Sequence, residues 1–116
     1  MIPIYALVLW LVVPINWCTT QQVDLGMVQA GQRVVQLFIY KNTGTQPEWI
    51  DNVRTTCGCT ASSWDQAPLP PGATDTLQVI FQSWSKGPFH KKIKVYFHHQ
   101  KRPHILEIRG AVEKKD

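Results

Sequence analysis

The chain has 116 residues, a net charge of +4 and 44% hydrophobic side chains. That length supports one domain and excludes two. The positive charge is far from the dense basic stripe of a nucleic-acid binder, so that class is set aside.

Residues 2–15 carry no charged side chain and are almost wholly apolar. An apolar run of about 10–14 residues is short for a membrane span and suits the hydrophobic part of an export signal. Residues 1–20 are therefore expected to form a signal peptide, or an N-terminal anchor if uncleaved. Residues 21–116 are expected to form the exported domain. Cleavage after Thr20 would leave Gln21 first. A lipoprotein reading makes Cys18 the acylated residue, although Ile15, Asn16 and Trp17 stand where small residues are wanted. With Cys18 removed or lipidated, Cys57 and Cys59 remain as a pair, which fits an oxidising compartment. The expected location is periplasmic or secreted, with a lipid-anchored envelope protein as the alternative.

Short segments rich in Val, Ile, Phe, Tyr and Trp then alternate with turn residues, and no long helical period appears. Residues 23–28 read as a strand bent at Gly26. Ala30-Gly31-Gln32 is a turn. Residues 33–41 form a strong strand with two apolar faces: Val35, Leu37 and Ile39 on one, Val34, Phe38 and Tyr40 on the other. Asn42-Thr43-Gly44 ends it. Residues 46–53 form a weaker strand with Trp49 and Ile50. After Cys57-Gly58-Cys59-Thr60 comes a polar run at 61–66. Pro71-Gly72 suits the centre of a type II turn. Residues 75–82, 89–98 and 104–112 alternate as half-buried strands, with Leu77, Val79 and Phe81, then Ile93, Val95 and Phe97, then Leu106 and Ile108 inward. The expected fold is all-β, an immunoglobulin-like β-sandwich of about seven antiparallel strands.

The order of landmarks resembles the bacterial domain-of-unknown-function family numbered 1573. The residues carrying the likeness are Asp24-Leu25-Gly26, Phe38 through Gly44, Ile50-Asp51-Asn52-Val53, Cys57-Gly58-Cys59-Thr60, Pro71-Gly72, Gly87-Pro88-Phe89 with Lys92, and Ile108 through Val112. The resemblance implies an immunoglobulin-like module akin to PapD-like, major-sperm-protein and HYDIN-type domains, found especially in Bacteroidetes-like bacteria. It puts Phe38 and Tyr40 toward the core, and it implies no established activity. Glu48 departs from the apolar residue usual there, and His98-His99 from a small residue followed by Asn.

Cys57 and Cys59 flank a single residue. On a flat strand their Cα atoms would lie about 6.5–7 Å apart, beyond the preferred disulfide spacing unless Gly58 bends the chain. A small structural disulfide, two packed thiols, a soft-metal clip for Cu(I) and a thiol-redox pair all stay open. A hairpin near 99–103 would bring His104 toward His98 or His99. This makes His98 and His104 further metal candidates beside Cys57 and Cys59, with a solvated hairpin tip as the alternative. Lys92 and Lys94, with Lys91, Lys101 and Arg102, make a basic hairpin that is either solvated or a dock for an acidic partner. Trp64 and Trp84 lie in polar loops, as partner contacts or as lids over the sandwich ends.

No nucleophile elbow, phosphate-binding glycine loop, HExxH or paired-carboxylate signal is present. The chain is read as a non-enzymatic exported module with no cofactor. Its expected partner is an envelope or surface protein, engaged by strand addition at a sheet edge or through the Trp loops. Copper or thiol-redox handling is the alternative. Nucleic acid is not an expected partner, and membrane contact is expected only through the N-terminal segment.

Overall fold

A computed structural model describes residues 14–56 and 58–114. Among them eight strands form: β1 (Ile15–Trp17), β2 (Gln22–Gln29), β3 (Val34–Asn42), β4 (Ile50–Thr55), β5 (Thr60–Ser63), β6 (Thr74–Phe81), β7 (Gly87–Phe97) and β8 (His104–Glu113). They make two four-stranded sheets, ordered β1-β3-β6-β5 and β2-β8-β7-β4. The alternation seen in the sequence is the reason. Phe38 and Tyr40 of β3, Leu77, Val79 and Phe81 of β6, Ile93, Val95 and Phe97 of β7, and Leu106 and Ile108 of β8 all turn inward and are buried. Period-2 apolar residues from facing sheets close one core.

Three details differ from the expected sandwich. The first is β5, which starts at Thr60, just after Cys59, and runs into the polar run that follows. Its side chains are short and mostly polar, so it carries no apolar alternation. It is held by pairing with β6, Thr60 opposite Phe81 and Ser62 opposite Val79. The second is direction. β2 pairs with β8 in parallel, Val23 opposite Ile108 and Val28 opposite Val112. The chain crosses from one sheet to the other between β1 and β2 without a hairpin reversal, so β2 enters the second sheet alongside β8.

The third is a strand before residue 21, within the segment read as a signal or anchor. β1 pairs with β3, Ile15 opposite Asn42 and Trp17 opposite Tyr40. Ile15 is buried, and Trp17 packs against the core. Ile15 and Trp17 are therefore residues of the sandwich. Residues 1–13, which hold most of the apolar run read as a signal or anchor, lie outside the described residues.

Turn chemistry sets the connections. Ala73 N–H donates to the Pro70 carbonyl at 3.1 Å, and Gly72 between them has φ +84°, the positive value a type II turn requires. Asn42 is fully buried at the end of β3. Its side-chain amide donates to the carbonyls of Gln46 at 2.9 Å and Leu69 at 2.8 Å, while its oxygen accepts the Gly44 N–H at 2.9 Å. One side chain thus ties the β3 exit to the loop before β6.

Candidate interaction edge

β3 is paired along its whole length on one side, where Val34 through Lys41 face β6. On its other side β1 covers only Tyr40 through Asn42. One step further, the Ile39 carbonyl accepts the Cys18 N–H at 2.8 Å. The Ile39 N–H donates to Thr19 Oγ1 at 3.1 Å. The chain then leaves for the second sheet. Alternate residues of a strand turn their backbone groups to the same edge, so Val35 and Leu37 aim theirs where Ile39 does. No strand among the described residues lies against them. The Leu37 carbonyl is capped by its neighbour's side chain, Gln36 Nε2, at 3.0 Å.

The side chains at this edge are apolar. Val35, Leu37 and Ile39 turn away from the core and are 40%, 47% and 37% exposed. Across the ladder they meet Ile80, Gln78 and Thr76 of β6. Of the outward residues on β3 and β6, Lys41 alone is charged.

The outer face of the second sheet is opposite in character. Arg54 lies across from Lys94, and its guanidinium sits 5.7 Å from the Tyr96 ring centre. Lys92 faces Glu107 and Arg109 faces His90. Lys92 and Lys94 are exposed here, on a mixed but mainly basic surface.

A polar cluster closes one end of the sandwich. Glu48 is only 3% exposed. Its carboxylate accepts the backbone N–H of Trp49 at 3.1 Å and of His99 at 3.1 Å, and lies 3.4 Å from His99 Nδ1. His98 stacks on Trp49 with ring centres 4.1 Å apart, and its Nδ1 lies 3.0 Å from Asp51. His104 accepts the Trp17 indole N–H at Nδ1, 3.0 Å, and pairs with Gln100 Oε1 through Nε2 at 2.6 Å. Desolvation lowers the His104 pKa below its usual value, against an opposing pull from Glu48. His98 and His104 thus have separate partners. Among the described residues no three His, Cys, Asp or Glu side chains form a group able to hold a metal ion.

The remaining candidates are dispersed. Cys57 lies outside the described residues. Cys59 is half-buried against the core and disulfide-bonded, and a sulfur so engaged offers no thiolate to a soft ion. Cys18 is free and exposed, and its backbone is hydrogen-bonded to β3. Trp64 packs against the core and donates its indole N–H to the Ile50 carbonyl at 3.1 Å, so it serves as a lid over the sandwich. Trp84 is 78% exposed and rests on Gly31, where an added Cβ would come within 2.4 Å of the ring.

The family model described as "Protein of unknown function (DUF1573)" matches residues 16–112. The chain belongs to that family. The match begins inside β1. No curated protein matches the DUF1573 chain. Among solved structures, a protein of unknown function from Porphyromonas gingivalis W83 is similar at TM-score 0.70 and 14% identity, over 84% of this chain and 46% of that one. A PapD-like domain of human CEP192 is similar at TM-score 0.73 and 12% identity, over 89% and 87%. A secreted serine protease from Vibrio cholerae, VesC, is similar at TM-score 0.64 and 14% identity, over 84% of this chain but 23% of that one. At such identities the likeness is one of fold. This DUF1573 chain spans less than half of the Porphyromonas protein and about a quarter of the protease, so the same sandwich occurs as a part of longer chains.

The open half of β3 was visible in sequence only as two competing apolar faces. The signal was the row Val35, Leu37, Ile39. Its meaning depended on knowing that β1 stops at Trp17.

Proposed function

We propose that this DUF1573 domain is a non-enzymatic, exported interaction module that takes an extended segment of an envelope or surface protein onto the open edge of β3. The observation that carries the reading is the uncharged stretch Val34–Phe38, in which Val35 and Leu37 are exposed and their backbone groups face no strand among the described residues. Unprotected edges are ordinarily blunted by charge, bulges or shortness. The other edges of this sandwich are blunted. β2 is bulged between Asp24 and Met27 at Gly26, φ +69°. β4 is irregular between Ile50 and Asn52 and carries Arg54. β5 has four residues and β1 three. An apolar edge left flat amid such protection fits a partner strand, which gains backbone hydrogen bonds there and side-chain contacts with Val35 and Leu37.

Export rests on the apolar run at 2–15. Residues 1–13 would then be the removable part, with β1 retained. Pairing of Cys57 with Cys59 belongs to the same reading, since Cys18 is free and Cys59 is bonded.

The test is selection of extended peptides against the domain, followed by amide exchange of the complex. Slowed exchange at Val35 and Leu37, lost together with binding in Leu37→Lys, is the expected result. Peptides that bind Leu37→Lys equally well would overturn the reading. For export, fractionation of cells making the full chain is expected to place it outside the cytoplasm.

A further inference from the structure

The open edge has a geometry that suits one occupant in particular. We infer that a second copy of this chain pairs its own β3 antiparallel to the first, about a two-fold axis at Gln36. This inference rests on the edge reading above and names an occupant for it.

The register follows from which groups are uncommitted. Ile39 is already bonded to Cys18 and Thr19. Val35 and Leu37 are the adjacent residues of the same parity, so their N–H and C=O groups face the gap. In an antiparallel ladder, residues of a close pair exchange both bonds. A two-fold axis at residue 36 sets Val35 opposite Leu37 of the second copy and Leu37 opposite its Val35. That makes four backbone hydrogen bonds without touching the Ile39 bonds to Cys18 and Thr19. An axis at residue 37 would set Val35 against the occupied Ile39. An axis at residue 35 would set Leu37 against Arg33.

Side chains agree with this register. The outward pairs become Val35–Leu37 and Leu37–Val35, apolar contacts across the new ladder. The two rows of Val35, Leu37 and Ile39 merge into one apolar strip. No charge lies between Val34 and Phe38, so the paired stretch itself is uncharged in two chains of net charge +4; the next residue, Arg33, precedes β3 and must turn aside, because the place opposite Ile39 is filled by Cys18 and Thr19. The basic outer faces stay on the other sheet. Gln36 stands on the axis, and its amide, which caps the Leu37 carbonyl, must swing away as the second strand arrives. Four backbone hydrogen bonds and a few apolar contacts make a small seam, so the dimer is weak. The same groups that bind a partner strand are then masked at high concentration of the chain itself.

Sedimentation of the full chain in a Cys18→Ser background, from about 1 μM to 1 mM, reads the association without disulfide cross-links. The average mass is expected to rise from monomer toward dimer, with slowed amide exchange at Val35 and Leu37 at the high end. Leu37→Lys, a change at an exposed position, is expected to stay monomeric. Gln36→Val, which removes the internal cap, is expected to tighten the dimer several-fold. A chain monomeric at 1 mM overturns the inference, as does association that survives Leu37→Lys or leaves both amides unprotected. A monomeric chain that still captures peptides at this edge sinks the dimer alone. A chain that does neither sinks the edge reading with it.

Discussion

Trp17 donates its indole N–H to His104 Nδ1 at 3.0 Å, a bond that joins the first strand of one sheet to the last strand of the other. Trp17 also packs edge-on against Phe38 and Phe97 and at a tilt against Tyr40, with ring centres 5.4–6.5 Å apart. An aromatic residue so placed belongs to the folded domain, whatever happens to residues 1–13.

A chain begun at Gln21 is therefore expected to be much less stable than one begun at Pro14. It loses buried Ile15, Trp17 and the β1–β3 ladder. Trp17→Ala alone should cost about 3 kcal/mol, the low end for an aromatic truncation because the ring is only half-buried. Urea denaturation of the three chains measures this. Equal midpoints for the Pro14 and Gln21 starts would return the boundary to residue 20. The same loss bears on acylation. With Cys18 as the first residue, Ile15 and Trp17 are gone, so a lipidated Cys18 requires a destabilised sandwich.

Stability should fall with acid through His104. Desolvation depresses its folded pKa below the unfolded value of about 6.5. The unfolded state therefore binds the proton more readily, and stability rises with pH between the two values. The contribution is full above about 6.5 and is lost as pH falls toward the folded pKa. A proton on Nδ1 also breaks the bond from Trp17. Urea midpoints across pH 7.5 to 5 are expected to fall more steeply for the wild type than for His104→Gln. Parallel slopes would remove His104 as the cause.

Much of the fold was legible because it is periodic. Leu77, Val79 and Phe81 alternate with polar residues, and so do Ile93, Val95 and Phe97; each set faces the core. What was not legible is what periodicity does not encode. Ile15 and Trp17 sit at the end of an apolar run, so their hydrophobicity serves a signal and a strand equally well. Thr60–Ser63 is polar and becomes a strand only because β6 offers a free edge. The parallel pairing of Val23 with Ile108 joins residues far apart in the chain. The open edge was hidden for a related reason: Val35 and Leu37 announce an apolar face, while its exposure is set by the length of β1.

Asn42 is expected to be among the most sensitive polar positions. It makes three hydrogen bonds from a fully buried site. Asn42→Ala leaves the Gly44 N–H without that acceptor, at about 1–3 kcal/mol for the orphaned donor, and takes one of two donors from the Leu69 carbonyl, which keeps the Glu48 N–H. Asn42→Asp should be worse than its small change in shape suggests, because a carboxylate oxygen then faces two carbonyls. Thermal unfolding of both variants tests this order. A stable Asn42→Asp would show that the loop rearranges to supply donors.

Glu48 is a carboxylate buried among donors. Its backbone pairs with Leu69 in both directions, at 3.1 and 2.7 Å. Its carboxylate receives the N–H groups of Trp49 and His99 and stands beside the His99 ring. Glu48→Leu strands those two N–H groups, so it should destabilise by about 2–6 kcal/mol, at 1–3 kcal/mol for each orphaned donor. Glu48→Gln keeps an acceptor and should cost less. Glu48→Leu combined with His98→Ala and His99→Asn should recover part of the loss, because the Asn side chain can accept a local backbone N–H in place of the carboxylate. Denaturation midpoints of the three variants decide the matter. A Glu48→Leu chain as stable as the wild type would mean that the carboxylate is not what holds the turn after β7 against the segment before β4.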